Sequence, residues 1–211
     1  MYLAVNPATN RIYVCNSISN SVSVIDGSSN TVVATVPLSA SPDGIDVNPT
    51  TNMIYVALFL TGEVVVIDGS SITIVTTIKG VDAFRVAVDA ATNRIYGPQF
   101  LSTNVSVNDG ASNTIIASIP VGKGSAGAAT DSAANLIYVT NNTSGTISVI
   151  DGSTNTVTNT FTPAILDPGR DCARHDIQPP LCDGWPEPSG LCRERIDGEN
   201  GVHQGWQGAL L

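Results

Sequence analysis

Charge is scarce in this 211-residue chain. Asp, Glu, Lys and Arg make up 13% of it, about half the share usual in a globular domain. Basic residues are scarcest, nine against eighteen acidic ones, for a formal charge of −9. Phosphate backbones are bound by clustered Lys and Arg, so nucleic acid is not an expected partner. No histidine precedes residue 175, which removes any Ser-His-Asp or Cys-His nucleophile from everything before it. Long apolar runs are also missing. The longest, Met53 to Leu60, falls far short of the ~20 residues that span a bilayer. The opening stretch MYLAVNPATNRIYV lacks the basic head and apolar run of an export signal. Neither a membrane span nor a cleavable leader is expected of this chain, and no compartment follows from its composition. Helical periodicity of useful length is absent before residue 162.

Thr, Ser, Asn, Val and Ile fill the space that charge leaves, a composition of strands and turns. It is organised by repetition. The segments TNRIYV, TNMIYV, TNRIYG and ANLIYV place the same Asn at 10, 52, 93 and 135, spaced 42, 41 and 42 apart. The segments IDG, IDG, NDG and IDG place Asp at 26, 68, 109 and 151 with the same spacings. Asn and Asp stand 16 residues apart in every copy, so the residue missing from copy three lies between Asp68 and Asn93. A surface loop can shorten in this way without disturbing strand register.

Each copy reads as four strands. In copy two they are Gly44–Asn48, Asn52–Ala57, Glu63–Ile67 and Ile72–Ile78, the last two with period-2 alternation. NPATN-type and DGSSN-type connectors supply turn chemistry, with the Gly of Asp-Gly expected at positive φ. Four antiparallel strands every 40–45 residues is the pattern of a β-propeller blade. The expected fold is therefore all-β: four blades at about 1–38, 39–80, 81–121 and 122–162, a partial or open propeller. Residues 163–211 form an irregular tail.

The segments VNPATNRIYVCN (5–16), SVSVIDGSSNTVVATV (21–36) and LIYVTNNTSGTISVIDGSTNTVTNT (136–160) carry a family likeness. They resemble the YVTN β-propeller repeat of envelope and surface-layer-like proteins, and Tyr138–Asn141 is the tetrad itself. The resemblance implies a propeller, a binding or scaffold role, and an envelope or extracellular setting. Family propellers commonly have about seven blades, so four imply a truncated member. An exposed blade face of on the order of 300 Å² forgoes up to ~8 kcal/mol of burial. Ring closure, a second copy or the tail is expected to cover it. Copy three departs most, with Gly97-Pro98 in its second strand and Asn108 where the other copies have Ile.

The tail breaks with the repeat. It has no Thr, Tyr or Lys, but holds both Trp, both His, three of four Cys, and 13 Pro or Gly in 49 residues. It reads as disordered or as a shifted reading frame joined to the propeller. Cys172, His175, Cys182 and Cys192 allow a zinc or disulfide reading, although the last two Cys lack the close spacing of a zinc pair. Cys15 reads as a small core residue. Asp26, Asp68, Asp109 and Asp151 recur with the repeat and read as turn residues, and Tyr13, Tyr55, Tyr96 and Tyr138 as packing between blades. Asp43, Asp46, Glu63, Asp82 and Asp89 occur singly. Asp46 and Asp89, on or just after strand one, are candidates for a channel site. Gly122-Lys123-Gly124-Ser125 lacks the upstream Gly and the helix of a phosphate loop. The Asn104, Asn141 and Asn142 sequons arise readily in Asn/Ser/Thr-rich repeats.

Loops between strands two and three differ among copies, and there the candidate site lies. Phe59-Leu60 and Phe100-Leu101 stand where copies one and four have Ser17-Ile18 and Asn142-Thr143. Propeller topology puts these loops on one rim with Phe84-Arg85 and Lys123. Aromatic and aliphatic side chains bordered by Arg and Lys suit an acidic or aromatic-bearing partner. The alternative is that the Phe side chains fold down between blades. The expected function is a non-catalytic module for protein or glycan binding, with Phe59, Leu60, Phe84, Arg85, Phe100, Leu101 and Lys123 as contact residues. No cofactor or metal is called for, and self-association through terminal blade faces is possible. Two alternatives stand beside it: a propeller enzyme of lactonase or lyase type, and a gene remnant without function.

Overall fold

A computed structural model of the chain describes residues 2–163. The tail, with its candidate zinc or disulfide residues, lies outside the described residues. Blade 1 comprises β1 (Leu3–Asn6), β2 (Arg11–Asn16), β3 (Ser21–Asp26) and β4 (Thr31–Pro37). Blade 2 comprises β5 (Gly44–Asn48), β6 (Met53–Leu58), β7 (Glu63–Asp68) and β8 (Thr73–Ile78). Blade 3 comprises β9 (Ala87–Asp89), β10 (Arg94–Pro98), β11 (Asn104–Asp109) and β12 (Thr114–Pro120). Blade 4 comprises β13 (Ser125–Asp131), β14 (Leu136–Asn141), β15 (Thr146–Asp151) and β16 (Thr156–Phe161). Each set of four forms its own antiparallel sheet in chain order. Among the described residues the one helical element is a 3₁₀ turn at Phe59–Thr61, and no helix is long and apolar enough to cross a membrane. The described residues form an open, all-β propeller.

Two strands of copy two start one residue later than the sequence pattern indicates. Asn52 and Ile72 both take left-handed backbone conformations, φ +57°, and so belong to the turns. Alternation in the fourth strand is also interrupted. In every blade the pairing of strands three and four slips by one residue, at Val24/Ile25, Val66/Ile67, Val107/Asn108 and Val149/Ile150. This repeated β-bulge adds twist to the outer edge of each blade.

The turn glycines behave differently from expectation. Gly27, Gly69, Gly110 and Gly152 are not at positive φ; the left-handed residue is the one ending each turn, Asn30, Ile72, Asn113 or Asn155. Glycine is needed for close approach instead. A Cβ at Gly69 or Gly110 would stand 2.5 Å from the amide oxygen of Asn52 or Asn93, and at Gly27 and Gly152 it would be closer still to Asn10 and Asn135. The same glycines donate their N–H to the carbonyls of those Asn residues at 2.8–2.9 Å. The two sequence markers are therefore in contact, which is why their separation never varies.

Blades stack through the inner strands. Tyr13 shares a core with Ile45, Val47 and Ile54 of the next blade, Tyr55 with Val86, Val88 and Ile95, and Tyr96 with Ile137 and Ala128. These three tyrosines are wholly buried, whereas Tyr138, with no described blade after it, is 37% exposed. At the other end Leu3 and Val5 are 59% and 50% exposed, while their equivalents Ile45, Val47 and Val88 are buried. Among the described residues, no blade covers either end of the arc.

Copy three is less eroded than its sequence implies. Gly97 leaves room for Val81 and Ala83, whose side chains would lie 2.9 Å from a Cβ there. Pro98 sits at the end of β10 and its carbonyl accepts the Phe84 N–H at 3.0 Å. Asn108 is fully buried; its amide donates to the Ile95 carbonyl at 3.1 Å, while its oxygen has no partner.

Candidate functional site

Hydrogen bonds place the strand-two-to-three loops and the blade-to-blade connections on one rim. Leu38, Val81 and Val121, each just after a fourth strand, donate their N–H to the carbonyls of Asn20, Gly62 and Thr103 at 2.7–2.9 Å. On blade 4, Lys123 N–H donates to Ser144 Oγ at 2.8 Å, leaving the Lys123 side chain exposed. The rim is thus a row of paired loops, one pair per blade junction. The residue shortening copy three is lost from one such connection, 79–86, and the strands around it keep their register.

Leu60 and Leu101 occupy the tips of these loops and are at least 80% exposed. Ile18 holds the equivalent tip in blade 1 and is fully exposed. Reading the first residue of each pair hid this third apolar tip, because Ser17 precedes it; the second position of the same pairs holds Ile18, Leu60 and Leu101 on consecutive blades. The side chain of Phe59 lies outside the described residues. Phe100 neither folds down into the core nor stands free. It is 37% exposed and leans on Phe84, ring centroids 5.6 Å apart and tilted 38°.

Arg85 is held between aromatic rings. Its guanidinium stacks over the Tyr2 ring at 4.5 Å, donates to the Tyr2 hydroxyl, and lies 5.5 Å from the Phe84 ring. Gly44, which opens β5, admits the Arg85 backbone, since a Cβ there would stand 2.6 Å from the Arg85 Cα. One side chain of blade 3 thereby reaches blade 1 while its backbone presses on blade 2. Tyr2 gave no sequence signal, being outside the repeat markers.

The solitary acids do not converge, and among the described residues no three His, Cys, Asp or Glu side chains gather on one point. Asp46 replaces an Ala found in the other copies and accepts the N–H groups of Val88 and Val47 at 2.7 and 2.8 Å. Burial pushes its pKa up, against the pull of those two donors. Glu63 meets Lys79 at 3.8 Å. Asp82 lies against Gly62. Asp89 is buried, yet hydroxyl donors Ser132 and Thr92 and the Ala91 and Thr92 N–H groups overcome its desolvation and hold its pKa down. Cys15 is buried in the core, which raises its thiol to about 12 and keeps it from acting as a thiolate.

The repeated acids cap turns. Asp26 accepts Ser28 and Ser29 N–H at 2.8 and 2.9 Å, and Asp68, Asp109 and Asp151 do likewise with Ser70, Ser112 and Ser153. These donors lower all four pKa values. The opposite rim carries a second repeated feature, with Asn6 donating to Asn52 Oδ1 and Asn48 to Asn93 Oδ1, both at 2.8 Å and both between blades. By the same register Asp89 falls opposite Asn135, and it cannot donate. The Asn135 oxygen is buried without a partner. Arg11 and Arg94 add a further clamp by donating to the Gly69 and Gly152 carbonyls of the adjoining blade, Gly69 at 2.7 Å.

No family model matches the sequence, and no curated protein does. Solved structures share the fold. Hydrazine synthase of Kuenenia stuttgartiensis aligns with a TM-score of 0.70 at 17% identity, over 75% of this chain and 47% of the other. A chain of a mitotic checkpoint complex aligns with a TM-score of 0.67 at 15% identity, over 76% and 49%. The chain thus spans about half the length of each, and at these identities the likeness is one of fold. Both neighbours are β-propeller proteins, and the chain is a β-propeller module.

Proposed function

We propose that this chain is a non-catalytic propeller module that binds a protein segment on the rim carrying Ile18, Leu60 and Leu101. The observation that carries the reading is the row of three exposed aliphatic tips on consecutive blades, beside the half-exposed Phe84–Phe100 pair. Exposed aliphatic side chains in a fixed row offer a partner burial of roughly 25 cal/mol per Å². Lys123, free of the core, favours carboxylates at the edge of such a partner. An acidic segment with aliphatic or aromatic side chains fits this surface. Leu60, Phe84, Phe100, Leu101 and Lys123 make the contacts, with Arg85 holding the platform through Tyr2. The YVTN-like motifs support a scaffold role in an envelope protein.

Peptide display against the wild-type chain tests this, followed by binding measurements on a Leu60→Asp, Leu101→Asp double variant. Both positions are exposed, so folding is retained. Enrichment of acidic, aromatic-bearing peptides that lose at least tenfold in affinity for the double variant is the expected result. Absence of enrichment, or peptides that bind both proteins equally, contradicts the proposal.

A further inference from the structure

The two end faces of the arc carry the exposed counterparts of residues buried at its three internal junctions. At each internal junction a buried Tyr packs against the first and second strands of the next blade. Blade 4 presents the donor half with Tyr138, and blade 1 presents the receiving half with Leu3, Val5 and Ile12. Ile12 is half-buried, whereas its equivalents Ile54, Ile95 and Ile137 are almost wholly enclosed. Exposure at both ends therefore falls on residues whose counterparts are covered by a neighbouring blade. The polar links differ: Asp131 stands where Asn6 and Asn48 donate to the next blade, and Leu136 where Arg11 and Arg94 clamp it, so the end junction rests on apolar packing.

We infer that two copies of this chain close head to tail into an eight-bladed ring, the fourth blade of each covering the first blade of the other. Eight blades lie within the usual range of propellers. Each face is about 17 Å by four strands at ~4.8 Å, on the order of 300 Å², so the four faces of such a ring bury roughly 1,200 Å². That reaches the lower bound of about 1,200 Å² for specific interfaces. A head-to-tail contact either closes or grows into a filament, and a two-fold axis through the channel closes it at two copies.

Light scattering on the full 211-residue chain tests this directly. The expected mass is twice 21.8 kDa; a monomer, or a mass climbing beyond the dimer, overturns the ring. Tyr138→Glu and Leu3→Lys are each expected to give folded monomers, since both positions are exposed within one copy. Mixing the two variants is then expected to restore the dimer. One junction of the mixed ring pairs Glu with Lys, and the other pairs the native Tyr138 with the native Leu3. Variants that stay dimeric, or a mixture that stays monomeric while circular dichroism shows intact β-structure, refute the head-to-tail arrangement.

Discussion

Single residues decide whether the repeat fits itself. Ile72 holds a left-handed conformation that Asn fills in the other three copies, at a cost of roughly 1–2 kcal/mol for an L-residue with a branched side chain. It tolerates this because its side chain packs on the core between blades 1 and 2. Asn30, at the same turn position in blade 1, is exposed and has no such compensation. Asn30→Ile should therefore lower stability by about 1–2 kcal/mol in urea melts, while Ile72→Asn, trading strain for packing, should change it less. Equal effects would show that backbone strain is not the controlling term. Asp89 offers a second case. Asp89→Asn supplies the missing donor for Asn135 and should stabilise by about 1 kcal/mol; a destabilised variant would place the Asn135 oxygen elsewhere. In the sequence Asp89 stood out as an acid occurring once, whereas Ile72 read as the start of a strand. Neither observation gave the sign of the effect, which depends on φ at one site and on a neighbouring blade at the other.

Turns and hairpins act as units at the scale of the element. The four turn aspartates have native pKa values held below the ordinary carboxylate range by Ser and backbone donors. Their contribution is present above the unfolded pKa of about 4 and is lost as pH falls through the depressed native values. Asp46, with its pKa raised, has the opposite sign. Thermal melts across the acid range should show falling stability below about pH 4, and replacing all four turn aspartates by Asn should flatten that limb. An unchanged slope would mean the turn bonds are not felt by the native state. The Asn–Gly contact makes a stricter prediction. Gly69→Ala should destabilise by about 1–3 kcal/mol through overpacking against Asn52. Adding Asn52→Ala should recover part of the loss, because the two positions couple; simple additivity would separate them. Strand order and turn positions were legible because Asn and Asp-Gly recur in step. The bulge was not legible, since an extra Val33 or Val75 in a fourth strand reads as ordinary β-propensity.

Across the whole molecule, the blades are interchangeable in outline and differ where they meet something else. Repeat-locked residues revealed the architecture because each performs the same task at each junction. The rim was half legible: Leu60 and Leu101 stood out as a pair, while Ile18, already aligned with them, drew no attention behind Ser17 until its full exposure placed it in the row. Arg85 and Tyr2, 83 residues apart, were invisible as partners, since no local pattern links a blade connection to the start of the chain. The central claim is an arc in which every blade but the last covers its repeat tyrosine with its successor. The most direct measurement of it is fluorine NMR of the 3-fluorotyrosine-labelled Leu3→Lys chain with a soluble paramagnetic agent, at a concentration where light scattering gives the monomer mass. The account predicts that Tyr13, Tyr55 and Tyr96 are shielded and Tyr138 is broadened. Four equally shielded tyrosines would indicate a closed four-bladed ring, and four equally broadened ones a set of sheets that do not stack; either result contradicts the account.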